Sequence, residues 1–303
     1  MRMTVLALSL ALAAAPLSAA ELETVPVTEG VWALVGPMAQ RSPENLANNA
    51  TFGVIETETG VVLVDPGGSR RGAAAIDAAI DTLTDKPVTL VIDTGGQDHR
   101  WLGNGYWAAQ GAEIVASEAA VADQRARASR QLSLLRALLG PALEGTEPRH
   151  AGTTFEDRLV REAGGVRLEI VHAGPAHTPG DSYVWLPGRD VMFTGDIVFV
   201  DRLLGVLPVS SSRGWIAAFD AMAAHEPTHV VPGHGHPTGL ATARAHTRDY
   251  LAHLRAEIGA HLGAGGDMLG ASGVDQSPFA HLLQFEALAG RNAEAVFAEM
   301  EWE

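Results

Sequence analysis

Three times in this sequence an apolar run stops at glycines that flank a histidine or an aspartate. Arg167 to Val171 leads into Gly174-Pro175-Ala176-His177-Thr178-Pro179-Gly180-Asp181, Val191 to Phe193 into Thr194-Gly195-Asp196, and His229 to Val231 into Pro232-Gly233-His234-Gly235-His236. Glycine lets loop backbones approach closely, so side chains from separate strand ends can converge on one point. Zn²⁺ and similar ions take neutral imidazole and carboxylate ligands in tetrahedral or five-coordinate arrangements. A single Gly-His-Gly is a common turn. Three such loops in this order demand a fold in which their strand ends meet.

A fourth strand, Val88 to Ile92, runs into Thr94-Gly95-Gly96-Gln97-Asp98-His99-Arg100-Trp101-Leu102-Gly103-Asn104. Around these segments strands and helices alternate. Thr51 to Ile55 and Val61 to Val64 read as a hairpin. Helices are expected over Arg71 to Leu83, Trp101 to Gln110, Ala119 to Leu139 and Trp215 to Ala224. Further strands are expected over Glu113 to Ala116 and Ser182 to Leu186. Helices between strands on this schedule imply mixed sheets covered by helices. The pattern suits an α+β fold, a four-layer αββα sandwich, although periodicity alone does not separate that from a doubly wound sheet. Beyond residue 245 the pattern turns helical. Leu251, Leu254, Ile258 and Leu262 share one helical face, Gly263 to Ser277 reads as a loop, and Leu282 to Met300 returns to helix. The expected organisation is a main domain over 21–245 and a helical C-terminal extension, 246–303, packed on it.

The first residues bear on compartment. Met1-Arg2-Met3 is a short basic start, Thr4 to Pro16 an apolar run, and Leu17-Ser18-Ala19-Ala20 a small-residue stretch. This is the layout of a secretory signal peptide over residues 1–20, and the run falls short of the roughly 20 residues that span a bilayer. The expectation is an exported, periplasmic protein with no membrane insertion in its mature form. The chain has no cysteine, so neither a disulfide nor a thiolate ligand is available. Its formal net charge is −15, and loss of Arg2 with the leader makes it one unit more negative. Nucleic acid and anionic lipid need a basic footprint and are disfavoured as partners. A small-molecule substrate is the partner expected.

From Asn45 to about Thr242 the chain resembles the metallo-β-lactamase-fold metallohydrolases. Val64-Asp65-Pro66-Gly67-Gly68-Ser69-Arg70, Asp201 to Pro208 and Gln284 to Asn292 make it similar to the quinoprotein relay system zinc metallohydrolase group, which implies a periplasmic redox or quinoprotein pathway partner. The resemblance gives His177 as a ligand of the first metal, Asp196 as the bridging carboxylate and His234 as a ligand of the second. Asp65 corresponds to a buried acid that orients ligands from behind.

The departure from the family pattern is as informative as the match. Where the family writes T-H-x-H-x-D-H-x-x-G-N, Thr94 and Gly103-Asn104 agree, but the four ligand slots hold Gly95, Gln97, His99 and Arg100. Gly95 offers no ligand, and the neutral amide of Gln97 binds Zn²⁺ weakly. His99 can still coordinate, whereas the permanently protonated guanidinium of Arg100 cannot. Sliding the alignment by one residue, to match Asp98-His99 with the family's Asp-His, loses Gly103-Asn104 and leaves Thr94 and Gly96 in the upstream slots. Either way a full dinuclear site is not expected.

Two readings of Arg100 follow. It replaces the missing cation, neutralising Asp196 or Asp65, or it points outward and clamps an anionic substrate. The expected site is one divalent ion, Zn²⁺ or Fe, on His99, His177, Asp196 and His234, with Asp98 or Asp181 accepting a proton. The function expected is hydrolysis by metal-bound water of lowered pKa. The opposing expectation is a non-hydrolytic periplasmic accessory or binding protein with a vestigial site. The other histidines, His236 among them, are expected at the surface, at the core edge or on the rim.

Overall fold

In a computed structural model the described residues are 22–303; the expected signal peptide over 1–20 lies outside them. Seven strands form one sheet in sequential order: β1 (Glu23–Thr28), β2 (Val31–Val35), β3 (Thr51–Glu56), β4 (Val61–Val64), β5 (Val88–Asp93), β6 (Glu113–Ser117) and β7 (Thr153–Phe155). Five form a second sheet: β8 (Arg158–Ala163), β9 (Val166–Val171), β10 (Tyr183–Leu186), β11 (Val191–Phe193) and β12 (His229–Val231), in the order β12-β11-β10-β9-β8. The helices are α1 (Arg70–Ile80), α2 (Asn104–Ala109), α3 (Glu118–Leu139), α4 (Ser212–Ala223), α5 (Leu240–Ala243), α6 (Asp249–Gly263), α7 (Met268–Ala271) and α8 (Phe285–Met300).

The four layers follow from strand alternation, because successive side chains point to opposite faces of a sheet. On β4 and β5, Val62, Val64 and Ile92 face inward and meet Ile170, Val184, Phe193 and Val231 of the second sheet. Leu63 and Val91 point the other way, onto Ile76 and Ile80 of α1 and Trp107 of α2. Tyr183, Met192 and Val230 cover the outer face of the second sheet and pack on Trp215 and Phe219 of α4. Burying each of these large apolar side chains stabilises the fold by roughly 1.5–3 kcal/mol. The same outer core takes in Leu251, Leu254 and Ile258 of α6 and Val296 and Phe297 of α8, so the C-terminal helices share a core with the main domain. The expected boundary at 245 and 246 falls within one helical stretch, where a π turn over Arg244–Arg248 joins α5 to α6.

Four strands were not expected. β1, β2, β7 and β8 lie at or next to sheet edges, where charge and irregularity are tolerated and the apolar alternation fades. The helix expected from Trp101 begins at Asn104, after a 3₁₀ turn over Asp98–Arg100. The expected loop over 263–277 contains α7. Two parallel pairings position the site. β4 lies parallel to β5, with Val64 opposite Ile92, and β11 lies parallel to β12, with Phe193 opposite Val231. Parallel neighbours end on the same edge, so the segments after all four strands meet there.

Candidate metal centre

Asp196, on a 3₁₀ turn just after β11, is the hub of the site. Its Oδ1 lies 2.7 Å from Arg100 Nη2 and 3.2 Å from His234 Nε2. Its Oδ2 lies 3.3 Å from His99 Nε2 and 3.4 Å from His177 Nδ1. All five side chains are buried. Burial works against ionisation of Asp196, but Arg100 foremost, with His99 and His177, holds its carboxyl well below the usual carboxylate range. Burial also pushes His177 down to about 4, against the pull of Asp196, and carries His234 well below its ordinary value. Both imidazoles are therefore neutral at pH 7, the form that donates a lone pair to a metal.

Arg100 is 0% exposed. Nη1 donates to Asp65 Oδ2 at 2.7 Å and to the Thr51 carbonyl at 3.1 Å, while Nη2 donates to Asp196 and to the Gly233 carbonyl at 2.7 Å. A side chain on Gly233 would collide with this guanidinium and with Gly195, so glycine there makes the room for Arg100. Desolvation disfavours the guanidinium charge, but the two carboxylates hold its pKa above the ordinary value. Of the two readings of Arg100, the outward substrate clamp is overturned by this geometry: the group is sealed inside and spans Asp65 and Asp196. Asp65 also accepts from the Thr94 backbone N–H at 2.8 Å and from its hydroxyl. Burial pushes Asp65 upward, yet three donors converge on it as on an ionised acceptor. Asp65 thus orients Asp196 through Arg100.

The emptied slots have been refilled. A Cβ on Gly95 would meet Asp181 Oδ1 well inside 3.0 Å. Asp181 Oδ2 accepts from the Thr178 N–H at 2.7 Å, and its Oδ1 from the Thr178 hydroxyl. Burial, reinforced by the Asp196 charge, lifts the Asp181 carboxyl to about 8, so at neutral pH it holds a proton rather than accepting one. Gln97 turns to Arg127, accepting at 3.2 Å. Asp98 is ion-paired with Arg41. Burial opposes its ionisation, yet Arg41 and His99 hold its carboxyl far below the usual range, which suits an ion-pair partner and not a base. At neutral pH Asp98 is thus held by its ion pair and the buried Asp181 already carries its proton, so neither stands as a free base there.

The donor set fits one ion. Ligand atoms of His99, Asp196 and His234 lie within 4.8 Å of one another, a two-imidazole, one-carboxylate group suited to Zn²⁺ or Fe. His177 stands beside this group, sharing Asp196 Oδ2 with His99. The buried His177 Nδ1 and His234 Nδ1 have no hydrogen-bond partner among the described residues. Arg100 Nη2 shares Asp196 Oδ1 with His234, so a fixed positive charge stands directly beside this donor set.

Around the cluster, Phe199 stacks on His234 with centroids 4.4 Å apart, and Trp215 meets His177 edge-on at 5.3 Å. The Trp215 indole N–H donates to the Ile197 carbonyl at 2.8 Å, and the side chain is fully buried in the core. His236 is exposed and pairs with Asp201 at 2.8 Å, a rim position. Sequence reasoning gave no role to Arg41 or Arg202, both close to the cluster, since an isolated arginine in a loop carries no spacing signal.

Residues 47–234 match the Metallo-beta-lactamase superfamily, and the chain belongs to that superfamily. It is 23% identical to a linear primary-alkylsulfatase of Pseudomonas sp. (strain ATCC 19151) over 247 residues, 66% of this chain and 45% of that protein. It is 26% identical to 2,4-dinitroanisole O-demethylase subunit alpha of Nocardioides sp. (strain JS1661) over 185 residues, 59% and 51% of the two chains. The chain spans about half the length of these curated relatives. In fold it is similar to a metallo-beta-lactamase from Pontibacter korlensis, with a TM-score of 0.60, 22% identity, and coverage of 76% of this chain and 99% of that one. It is also similar to the sec-alkylsulfatase Pisa1 from Pseudomonas sp., with a TM-score of 0.69, 18% identity, and coverage of 92% and 50%.

Proposed function

We propose that the chain is an exported hydrolase that holds one divalent ion, Zn²⁺ or Fe, on His99, Asp196 and His234, with His177 beside them. The observation that carries this reading is the split around one carboxylate. Imidazoles gather on Asp196 as metal ligands would, while Arg100 spans Asp196 and Asp65 where a second cation would balance charge. When bound, such an ion supplies Lewis acidity and lowers the pKa of water toward roughly 7. Arg100 keeps Asp196 ionised and fixed, since a carboxylate without a compensating charge would not stay ionised here. Asp181 keeps a proton at neutral pH and so adds no further negative charge beside Asp196. The wider resemblance supports a place among exported relatives of the quinoprotein relay group, with a quinoprotein or redox partner.

The curated relatives direct the substrate search toward sulfate esters and aryl ethers as well as lactams, esters and thioesters. Elemental analysis of purified protein should give about one metal ion per chain, and the metal-loaded protein should turn over at least one member of that panel. Two tightly bound ions, or none after reconstitution, would overturn the mononuclear reading.

The depth of the site favours a second reading. His99 is 1% exposed, and both oxygens of Asp196 are engaged by protein groups. A closed centre of this kind also suits an accessory protein in which the ion is structural. Metal binding without turnover on the whole panel selects that reading.

A further inference from the structure

The His234 ring is steered from behind by packing, with no hydrogen bond there. Its Nε2 faces Asp196, but its buried Nδ1 has no hydrogen-bond partner among the described residues. A metal-ligating imidazole is ordinarily oriented by a hydrogen bond on its other ring nitrogen. Here the buried Phe199 takes over that task. Its ring stacks on His234 with centroids 4.4 Å apart and planes 19° from parallel, and it tilts against His177 at 5.7 Å. One phenyl ring thus sets the plane of one imidazole and borders a second.

Phe199 in turn is fixed through its backbone. It lies opposite His234 in a short parallel pairing, in which Gly233 N–H donates to the Val198 carbonyl and Val200 N–H to the His234 carbonyl. Neither bond uses the N–H or the carbonyl of Phe199 itself, and buried backbone groups need partners. One hydroxyl serves both. Thr247 Oγ1 accepts from the Phe199 N–H at 2.9 Å and donates to the Phe199 carbonyl at 2.6 Å. Thr247 is fully buried and belongs to the π turn Arg244–Arg248. Its neighbour His246 accepts through Nδ1 from the Asp201 N–H at 3.3 Å. Adjacent positions of an α-helix do not share a face, yet in this turn two consecutive residues grip 199–201. Such turns are rare and frequently mark functional sites.

We propose that Thr247 is a positioning residue for His234: through the Phe199 backbone it holds the ring that orients the imidazole, so a helical turn outside the strand-end loops presets the metal site. The proposal rests on the reading of His234 as a metal ligand, and its test separates the two. Zn²⁺ affinity is measured by competition with a chromophoric chelator, Co²⁺ loading by its d–d absorption, and the histidine ring ¹H–¹³C signals by NMR of the metal-free protein. Thr247→Val keeps the shape and removes the hydroxyl. It should weaken Zn²⁺ binding by about 10- to 100-fold, alter the Co²⁺ spectrum, and move the His234 signals from the upfield position that stacking on Phe199 gives them. Thr247→Ser should restore all three. Phe199→Leu keeps apolar bulk without a flat ring, should weaken Zn²⁺ binding as well, and serves where Thr247→Val fails to fold. Leu254→Ala, about two turns further along the same helical stretch, opens a cavity in the same buried core and should cost stability while leaving Zn²⁺ affinity at the wild-type value. Wild-type affinity and unmoved His234 signals in Thr247→Val overturn the proposal, as does an equal loss of affinity in Leu254→Ala. If Zn²⁺ does not bind the wild type, the ligand reading fails, and the His234 signals of the metal-free proteins alone decide whether Thr247 positions the ring.

Discussion

Arg100 Nη2 donates to Asp196 Oδ1 at 2.7 Å from the sequence slot where the superfamily motif carries a metal-binding histidine. Its other nitrogen reaches Asp65 at the same distance. A side-chain cation thus links two buried carboxylates. Removing one partner of a buried ion pair leaves an uncompensated charge, at a cost of about 3–5 kcal/mol. Arg100→Ala should therefore lower the unfolding free energy by on the order of a few kcal/mol in denaturant titration. Asp65→Asn should recover part of that loss in the double variant, since one of the two stranded charges is gone. An Arg100→Ala protein as stable as the wild type would show that the carboxylates do not depend on the guanidinium.

A metal titration tests the other side of Asp196. Binding to the folded state alone stabilises it by mass action, about 2.7 kcal/mol at a hundredfold excess over Kd. Chelation should lower Tm in the wild type. In Asp196→Ala, which removes the carboxylate shared by His99 and His234, Tm should no longer respond to chelator or to Zn²⁺. A response of unchanged size would place the ion elsewhere.

Much of this was legible in the sequence because strand-end glycines next to ionisable residues leave a strong local signal. His177, Asp196 and His234 come together as expected from three separate loops. The central strands were legible for a similar reason: β4, β5 and β11 are short β-branched or apolar runs buried on both faces. The edges were not. In β8 the polar and apolar residues do not alternate cleanly, since Val160 is exposed and Arg161 half-buried. The fate of the emptied ligand slots was hidden too, because it depends on residues far along the chain. Gly95 is filled from Asp181 and Gln97 is engaged by Arg127, contacts that no spacing rule encodes.

That refilling changes what a restored family motif would do. A side chain at Gly95 meets Asp181 and the Thr178 hydroxyl, so Gly95→His overpacks a buried corner. Overpacking of this kind typically costs about 1–3 kcal/mol. Gly95→His alone should lower stability without adding metal. Gly95→His with Asp181→Ala should recover much of the stability, because the clash has been removed. Equal destabilisation in both would mean that the backbone at residue 95, and not Asp181, sets the limit.

Asp181 also provides a pH test. Its folded-state pKa is raised to about 8, from an ordinary 3.8, by burial and by the Asp196 charge. A carboxyl raised in this way favours the folded state fully below pH 3.8, where both states carry the proton. As pH rises the unfolded chain ionises first, and the folded state loses relative stability until its own carboxyl titrates near pH 8. The wild type should therefore weaken relative to Asp181→Asn between about pH 4 and pH 8, by on the order of a few kcal/mol. Asparagine keeps the shape but never ionises, so the difference between the two proteins isolates this group from His177, His234 and Asp196. Matched denaturant titrations of the metal-free proteins at pH 5, 6.5 and 8 make the comparison. If the stability gap stays constant across that range, Asp181 is ionised in the folded protein and the charge balance around Asp196 must be redrawn with one more negative group.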